Sequence, residues 1–502
     1  MNVAGGQSLP PPLLAAIEKC RAEPGNIMAA GELGGLFHDY GMTEQAEHIR
    51  HQLVGALATL CAKGAPPDTI FNLLQMLYQH FTKKIETEQY ARTCFQAWQD
   101  SVVPYGRKFQ DPVLPRKLHA PSAARPWRLG FLLQNAVILG HTDGMLEVIA
   151  NRPHGLPWAD QPIVYTLFGD LPALNQRVRG MGAEIVNLAQ NSSESVVARI
   201  ARLRRRIAED GVTHLVWVSA PTTADFVLAM RLAPVQLFWT LKFHPFRIPE
   251  VDGYISYGGW SETRRMVHDE EWQVVPFLLA RPSPPVAPEA VAAARARFAQ
   301  HPVLFGALAR TEKLNSPPYL AAVAEILRAN PAAGYLWTGR EQHDGIQRFF
   351  NEAGVAAQTH FIGWVDTTLY AQVLDIFLET FPFGCGVTAM QALVAGTPLL
   401  SFAAPETQYG MHFFRPLAEG GPAAPEIHRL LAGENAAGPL LYAADAAQYV
   451  ELANRLARDP AWRHGVGQAG RDYYQRYLAD SGRMSQRFYE VVAACKQPKP
   501  DA

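Results

Sequence analysis

Residues 384–388, Gly-Cys-Gly-Val-Thr, follow an apolar run (Ile376, Phe377, Leu378) and precede a helical run through Met390, Leu393 and Val394. A strand that opens through a glycine-rich loop into a helix is a place to hold an anion. Gly384 and Gly386 permit backbone angles and close approach that other residues resist. The helix start offers unpaired N–H groups and a partial positive charge, and Thr388 adds a hydroxyl donor. No Gly-Lys-Ser/Thr follows, so this is not a Walker A loop, and no GxGxxG fingerprint is present. The same loop would also serve as a plain tight turn of an α/β unit, so other segments have to decide.

Three other segments place reactive side chains just after an apolar run. In ALARTEKLNSPPYLAAVAEIL (307–327) the run ends at Ala309, and Arg310, Thr311 and Lys313 follow at once. A lysine at a strand's carboxyl end can neutralise a leaving diphosphate as its charge develops, although a solvated loop lysine is the commoner case. Asn315 or Ser316 is expected to cap the next helix, with Pro317 and Pro318 in its first turn. In RLAPVQLFWTLKFHPF (231–246) the run VQLFW opens into a loop holding Lys242 and His244. In RLGFLLQNAVILGHTDG (128–144) a strand precedes Gly140, His141, Thr142 and Gly144. Imidazole titrates near neutrality, so His141 and His244 are both candidates to take a proton. Cys385 could be a nucleophile, but no partner His is assigned by the sequence, and a small side chain in a tight loop is the simpler reading. Glu406 and His412, in APETQYGMHFF, are polar neighbours with no role assigned.

These loops need strands and helices to position them. RLGFLL, PIVYTLF, THLVWVS, VQLFW and GYISY are short β-rich runs, and the clearest helical stretch between them is Ser193 to Glu209. The alternation restarts after ARPSPPVAPEA with VLFGALA, GYLWTG, THFIG, DIFLE and PLLSF. Alternating strands and helices predict parallel sheets covered on both faces. Two such units predict an α/β protein with two Rossmann-like domains facing across a cleft, where ligands bind at the carboxyl ends of strands. Residues 1–105 read as an all-α domain. Pro66-Pro67-Asp68 gives a cap-like start to IFNLLQMLYQHF, and Leu33, Leu36, Tyr40, Gly41 and Ala46 are ordered like a single tetratricopeptide hairpin, without an array. The expected division is a linker at 106–127, a first Rossmann-like domain at 128–280, a hinge and helix at 281–300, a second domain at 301–465 and a C-terminal helix and tail at 466–502. The stretch QAGRDYYQRYLADSGRMSQRFYEVVAAC reads as one long amphipathic helix that packs back across both domains.

The 502-residue chain is 48% hydrophobic with a net charge of −1, which points away from nucleic acid and anionic membrane as partners. No stretch reaches the roughly 18 apolar residues of a spanning helix, and the start lacks a basic region followed by an apolar core. The five scattered cysteines, with no CxxC, fit a reducing compartment and argue against disulfides or zinc. A cytoplasmic protein is expected.

Together and in this order, the four segments resemble the family of O-linked N-acetylglucosamine transferases and bacterial cytoplasmic N-glycosyltransferases that modify adhesins. LAPVQ before a His-Pro loop, then Asp252 and Tyr254, looks like the family's APIQ segment. ARTEKLN looks like the segment whose lysine grips the nucleotide diphosphate. FPFGCGVTAMQALVAGTP looks like the segment that cradles the β-phosphate and ribose. The spellings ARTEKLN and FPFG, and the all-α N-terminal region, are closer to the N-glycosyltransferase branch. The resemblance implies a GT-B fold, a UDP-sugar co-substrate, inversion at the anomeric carbon, and no metal or other cofactor. It implies that Lys313 holds the diphosphate with Thr311 beside it, and Lys242 and Arg310 are further candidates for that site. It also implies that the amides of Gly386, Val387 and Thr388 hold the distal phosphate, and that His141 and His244 lie near sugar and acceptor. Two departures stand out. Gln391 occupies the place of the family's usual acidic residue toward the ribose, and Gln is a weaker acceptor than a carboxylate. Gly386-Val387-Thr388 stands where the family has His-Thr-Thr or an Asn-containing stretch.

The implied activity is transfer of a hexose from a UDP-sugar to a protein or peptide acceptor, Asn favoured over Ser/Thr. Two alternatives stay open: a UDP-sugar epimerase on the same fold, and a degenerate transferase acting as a binding partner or chaperone.

Overall fold

The structure is a computed structural model, and it describes residues 9–40, 42–81, 88–113, 118–188, 194–218, 220–240, 246–258, 263–267, 270–276, 286–340, 342–381, 384–402, 441–443, 445–475 and 479–495. The chain begins with helices Pro11–Ala22, Ile27–Asp39, Thr43–Ala62, Pro67–Phe81 and Glu88–Arg107. Two sheets follow.

The first sheet holds β1 (Leu129–Asn135), β2 (Ile163–Phe168), β3 (Glu184–Asn187), β4 (His214–Val218), β5 (Val235–Trp239), β6 (Gly253–Gly258), β7 (Arg264–Val267) and β8 (Glu270–Pro276). Their spatial order is β3-β2-β1-β4-β5-β6-β8-β7, parallel throughout except for the β7–β8 pair. The second sheet holds β9 (Leu304–Ala307), β10 (Gly334–Trp337), β11 (Thr359–Phe361), β12 (Ile376–Leu378), β13 (Leu399–Phe402) and β14 (Leu441–Ala443), in the order β11-β10-β9-β12-β13-β14. Both orders begin third-second-first and then jump to the fourth strand, the doubly wound pattern with a crevice where the direction of winding reverses. That point lies between β1 and β4 in the first sheet and between β9 and β12 in the second.

The alternation of side chains along the strands divides the interior. In the first sheet Leu132, Tyr165 and Trp217 face a core shared with the N-terminal helices, through Phe71, Trp98 and Phe226. Phe131, Leu133, Val164 and Val216 face the other way. They join one apolar cluster that continues to Leu336, Phe377 and Leu399 of the second sheet, and the opposite face of the second sheet buries Phe305, Tyr335, Trp337 and Ile376 in a third core. Helix Val196–Glu209 shows the local logic: Val196, Ile200, Leu203 and Ile207 are buried at helical spacing, and Ser195 caps the start by accepting the Ala198 amide at 3.3 Å.

Three local expectations change. Asp68 does not serve its own helix; its Oδ1 accepts the Val196 amide at 3.0 Å, so the N-terminal helices cap a helix of the first sheet. Ser316 occupies the N-cap position of helix Pro317–Ala329 without making the cap bond, and its buried Oγ has no partner among the described residues. The prolines at 317 and 318 carry no N–H to donate. The C-terminal run is two helices, Pro460–Tyr473 and Ser481–Ala494, because Asp480 accepts the Arg483 amide at 3.1 Å and starts a new one. The first packs on helix Val387–Ala395 of the second domain and the second on helix Gly140–Ala150 and β8 of the first.

Candidate functional site

The winding reversal of the second sheet is where the two anion-binding segments meet. β9 ends at Ala307, and the chain turns through Leu308, Ala309 and Arg310 into the short helix Thr311–Leu314. β12 ends at Leu378 beside it, and helix Val387–Ala395 starts nine residues on. Two hydrogen bonds tie these segments together. Lys313 Nζ donates to the Gly384 carbonyl, and Thr388 Oγ1 donates to the Leu308 carbonyl at 2.7 Å. The Thr388 hydroxyl proton is therefore committed within the protein, although its oxygen lone pairs remain.

Gly386 is the N-cap of helix Val387–Ala395, with φ 58° and ψ −103°, a conformation that requires glycine. A Cβ there would meet nothing within 4 Å, so the backbone angle rather than crowding demands the residue. The helix leaves its first N–H groups, from Val387 onward, without intrahelical acceptors.

The loop is held from beneath by Glu379, which the sequence reading did not single out. This residue follows β12 directly and is buried. Its Oε1 accepts the Cys385 amide at 3.0 Å and its Oε2 accepts the Ser401 hydroxyl at 2.5 Å. Burial pushes the Glu379 carboxyl above its ordinary range, while Ser401, the Cys385 amide, Lys313 and the Gly386 amide each pull it back. Burial likewise raises the Cys385 thiol, and the Glu379 charge raises it further. A raised thiol pKa disfavours the thiolate, so Cys385 fills a tight loop and is poorly suited to be a nucleophile.

Gln391 sits one turn into the helix. Its Nε2 donates to Thr368 Oγ1 at 3.2 Å, and its buried Oε1 has no partner among the described residues. Thr311 opens the short helix, half-buried, and Arg310 before it is exposed.

Across the cleft lies the winding reversal of the first sheet. Helix Gly140–Ala150 begins there after β1, with His141 as its second residue, half-buried. A Cβ on Gly140 would lie 3.1 Å from Val387 Cγ2. The starts of helices Gly140–Ala150 and Val387–Ala395 thus face each other at van der Waals range, one from each domain, and His141 lies beside that contact. Lys242, His244, Glu406 and His412 lie outside the described residues. Asp252 and Tyr254 serve the fold. Asp252 pairs with buried Arg231 at 2.7 Å and accepts the Gln236 amide, and Tyr254 bonds the backbone of Ile248 and stacks on Trp272. Among the described residues no group of three or more His, Cys, Asp or Glu is placed to hold a metal ion, and no helix is long and apolar enough to cross a membrane.

Two doubly wound domains with facing winding reversals define the GT-B fold, the fold of a large class of glycosyltransferases. No protein-family description matches the chain, and no curated protein does. Among solved structures, an O-GlcNAc transferase mutant from Thermobaculum terrenum is 16% identical, covers 96% of this chain and 94% of its own, and superposes with a TM-score of 0.55. HepE from Anabaena, solved with UDP and glucose and again with UDP-glucose, is 11% identical with a TM-score of 0.50; the match covers 73% of this chain and 100% or 99% of HepE. At these identities the likeness establishes architecture, and the site must carry the chemistry.

Proposed function

We propose that this chain is a glycosyltransferase that moves a hexose from a UDP-sugar to a protein or peptide acceptor, Asn favoured over Ser/Thr, with inversion and without a metal. The observation that carries the proposal is the convergence of Lys313 and the start of helix Val387–Ala395 at one winding reversal, facing Gly140 and His141 of the other domain. A cation and a helix N-terminus together suit a diphosphate. In the reaction, UDP leaves as the acceptor attacks the anomeric carbon from the opposite face, and Lys313 offsets the charge growing on the diphosphate. The lysine and the helix end supply, within the protein, the positive charge a metal supplies elsewhere. His141 and His244 are the candidates to take the acceptor proton. Gln391 Oε1, which has no partner among the described residues, is the group assigned to a ribose hydroxyl in this reading. The neighbour HepE was solved with UDP-glucose and the full-length neighbour is an O-GlcNAc transferase, and both fit a UDP-sugar donor.

The test is calorimetric titration of the protein with UDP, with GDP as control, repeated on Lys313→Ala. The expected result is UDP-selective binding, weakened about tenfold or more in the variant, as for a charge-assisted bond. Binding of neither nucleotide would move the reading to a re-purposed partner protein, for which Gln391 and Val387 would then be the explanation. Preference for GDP would keep a transferase and discard UDP.

A further inference from the structure

We propose that Glu379 is the positioning residue of the diphosphate loop: by accepting the Cys385 amide with one oxygen and the Ser401 hydroxyl with the other it fixes the turn from which helix Val387–Ala395 presents its first amides, and it holds that loop in register with Lys313. The proposal rests on the reading of this loop as the diphosphate site.

Four observations converge on it. The carboxylate is buried directly behind the loop, with one oxygen on the Cys385 amide and the other on the Ser401 hydroxyl. Ser401 belongs to β13, so the carboxylate ties the loop to the neighbouring strand of the sheet. Gly386 stands at a backbone conformation that needs an external constraint, and Glu379 holds the amide of the residue just before it. Lys313 donates to the Gly384 carbonyl, one residue before the amide that Glu379 holds, so acid and lysine grip the loop from its two sides. A buried carboxylate costs stability unless its acceptors are used. Serine alone would bridge β12 to β13 more cheaply. The charge suits a loop in which the Cys385 amide is drawn inward so that the first amides of the helix can face a ligand.

The charged and titratable groups facing Glu379 are Lys313, Cys385 and Tyr449, whose hydroxyl bonds the Glu379 carbonyl at 2.9 Å. The measurement is UDP titration and thermal melting of the full chain, wild type against Glu379→Gln, at pH 6 and pH 8. Gln keeps the shape and one acceptor but presents an amide NH2 donor where the second oxygen stood. The expected result is a melting temperature at pH 8 equal to or above wild type, since a buried carboxyl is gone, together with UDP affinity about tenfold weaker. The affinity gap should narrow as pH falls, since burial raises the pH at which the wild-type carboxyl takes up its proton. A merely structural residue would lower stability and affinity together and show no pH-dependent gap. UDP affinity within twofold of wild type at pH 8, or a loss that follows a fall in melting temperature, overturns the proposal. Wild type that binds no UDP overturns both this and the functional reading, whereas binding by wild type with an unaffected variant overturns this alone. If Glu379→Gln fails to fold, Ser401→Ala reads the same linkage from the far side of the carboxylate. It is then expected to weaken UDP two- to threefold, in the order of a neutral hydrogen bond, and an unchanged affinity overturns the proposal.

Discussion

Gln391 is the residue whose chemistry is most open to change. Its Nε2 already has Thr368, and its Oε1 has no partner among the described residues. Glu at this position would accept the Thr368 hydroxyl and offer a charged oxygen where a neutral one stands. Gln391→Glu is expected to tighten UDP several-fold, about 1 kcal/mol. Calorimetry checks this, and an unchanged affinity would put the ribose elsewhere. The placement of Lys313 and Thr388 at one edge of the sheet was legible in the sequence, because each lies where the chain leaves an apolar run for a helix, and parallel sheets bring such positions together. Glu379 was not legible, although it also follows such a run. Its partners come from six and 22 residues away, on a loop and on another strand, and no spacing signals that. Thr388 shows the converse: its position was readable, but not that its hydroxyl would turn to Leu308.

At the scale of elements, Asp68 is one of the polar pins between the N-terminal helices and the first sheet, alongside the Arg107–Glu250 pair. Asp68, on one helix, caps another 128 residues away. Asp68→Ala is expected to cost about 1 kcal/mol, as for other caps, and to lower the melting temperature while leaving UDP affinity unchanged. A thermal scan with a parallel titration checks it. Around this pin Phe71 meets the rings of Phe168 and Phe226, which keeps the two parts packed when the cap is lost. The alternation of strands and helices was readable from composition, because parallel strands buried on both faces appear as short apolar runs. The destination of a cap was not. Pro66-Pro67-Asp68 has the composition of a helix start, and composition cannot say which helix the carboxylate will reach. The break at Asp480 was likewise hidden, since Asp-Ser-Gly sits within a run whose apolar spacing continues on both sides.

The whole molecule should respond to pH through two buried groups at its seams. Asp225 lies between the N-terminal helices and the first sheet, accepting the Phe226 amide at 3.0 Å and a bond from Trp98. Burial pushes its carboxyl up to about 7. The folded chain then keeps a proton that the unfolded chain releases near 3.8, so this contribution is full below pH 4 and is lost as pH rises to 7. His214, between Trp127 and Trp158, is pushed down to about 4 by burial; its contribution is present above 6.5 and is lost as pH falls toward 4. The two oppose each other over most of that range. Asp225→Asn is expected to raise the melting temperature at pH 8 and to change it little at pH 5. Equal shifts at both values would show that the carboxyl is ionised throughout.

The last helix carries a consequence for the order in which the protein can be made. Phe488 packs on the ring of Phe131 in β1 and on Trp239 in β5, Tyr489 meets Trp158, and Ser485 bonds the Glu147 carbonyl at 3.2 Å. One face of the first sheet is thus finished by side chains more than 200 residues downstream of its last strand. During synthesis that face stays open while the entire second domain emerges from the ribosome, although domains generally fold in turn as they appear. The first sheet is encoded early and sealed last, and until the terminal helix arrives the nascent chain carries an exposed apolar surface that has to be shielded or kept out of contact with its neighbours.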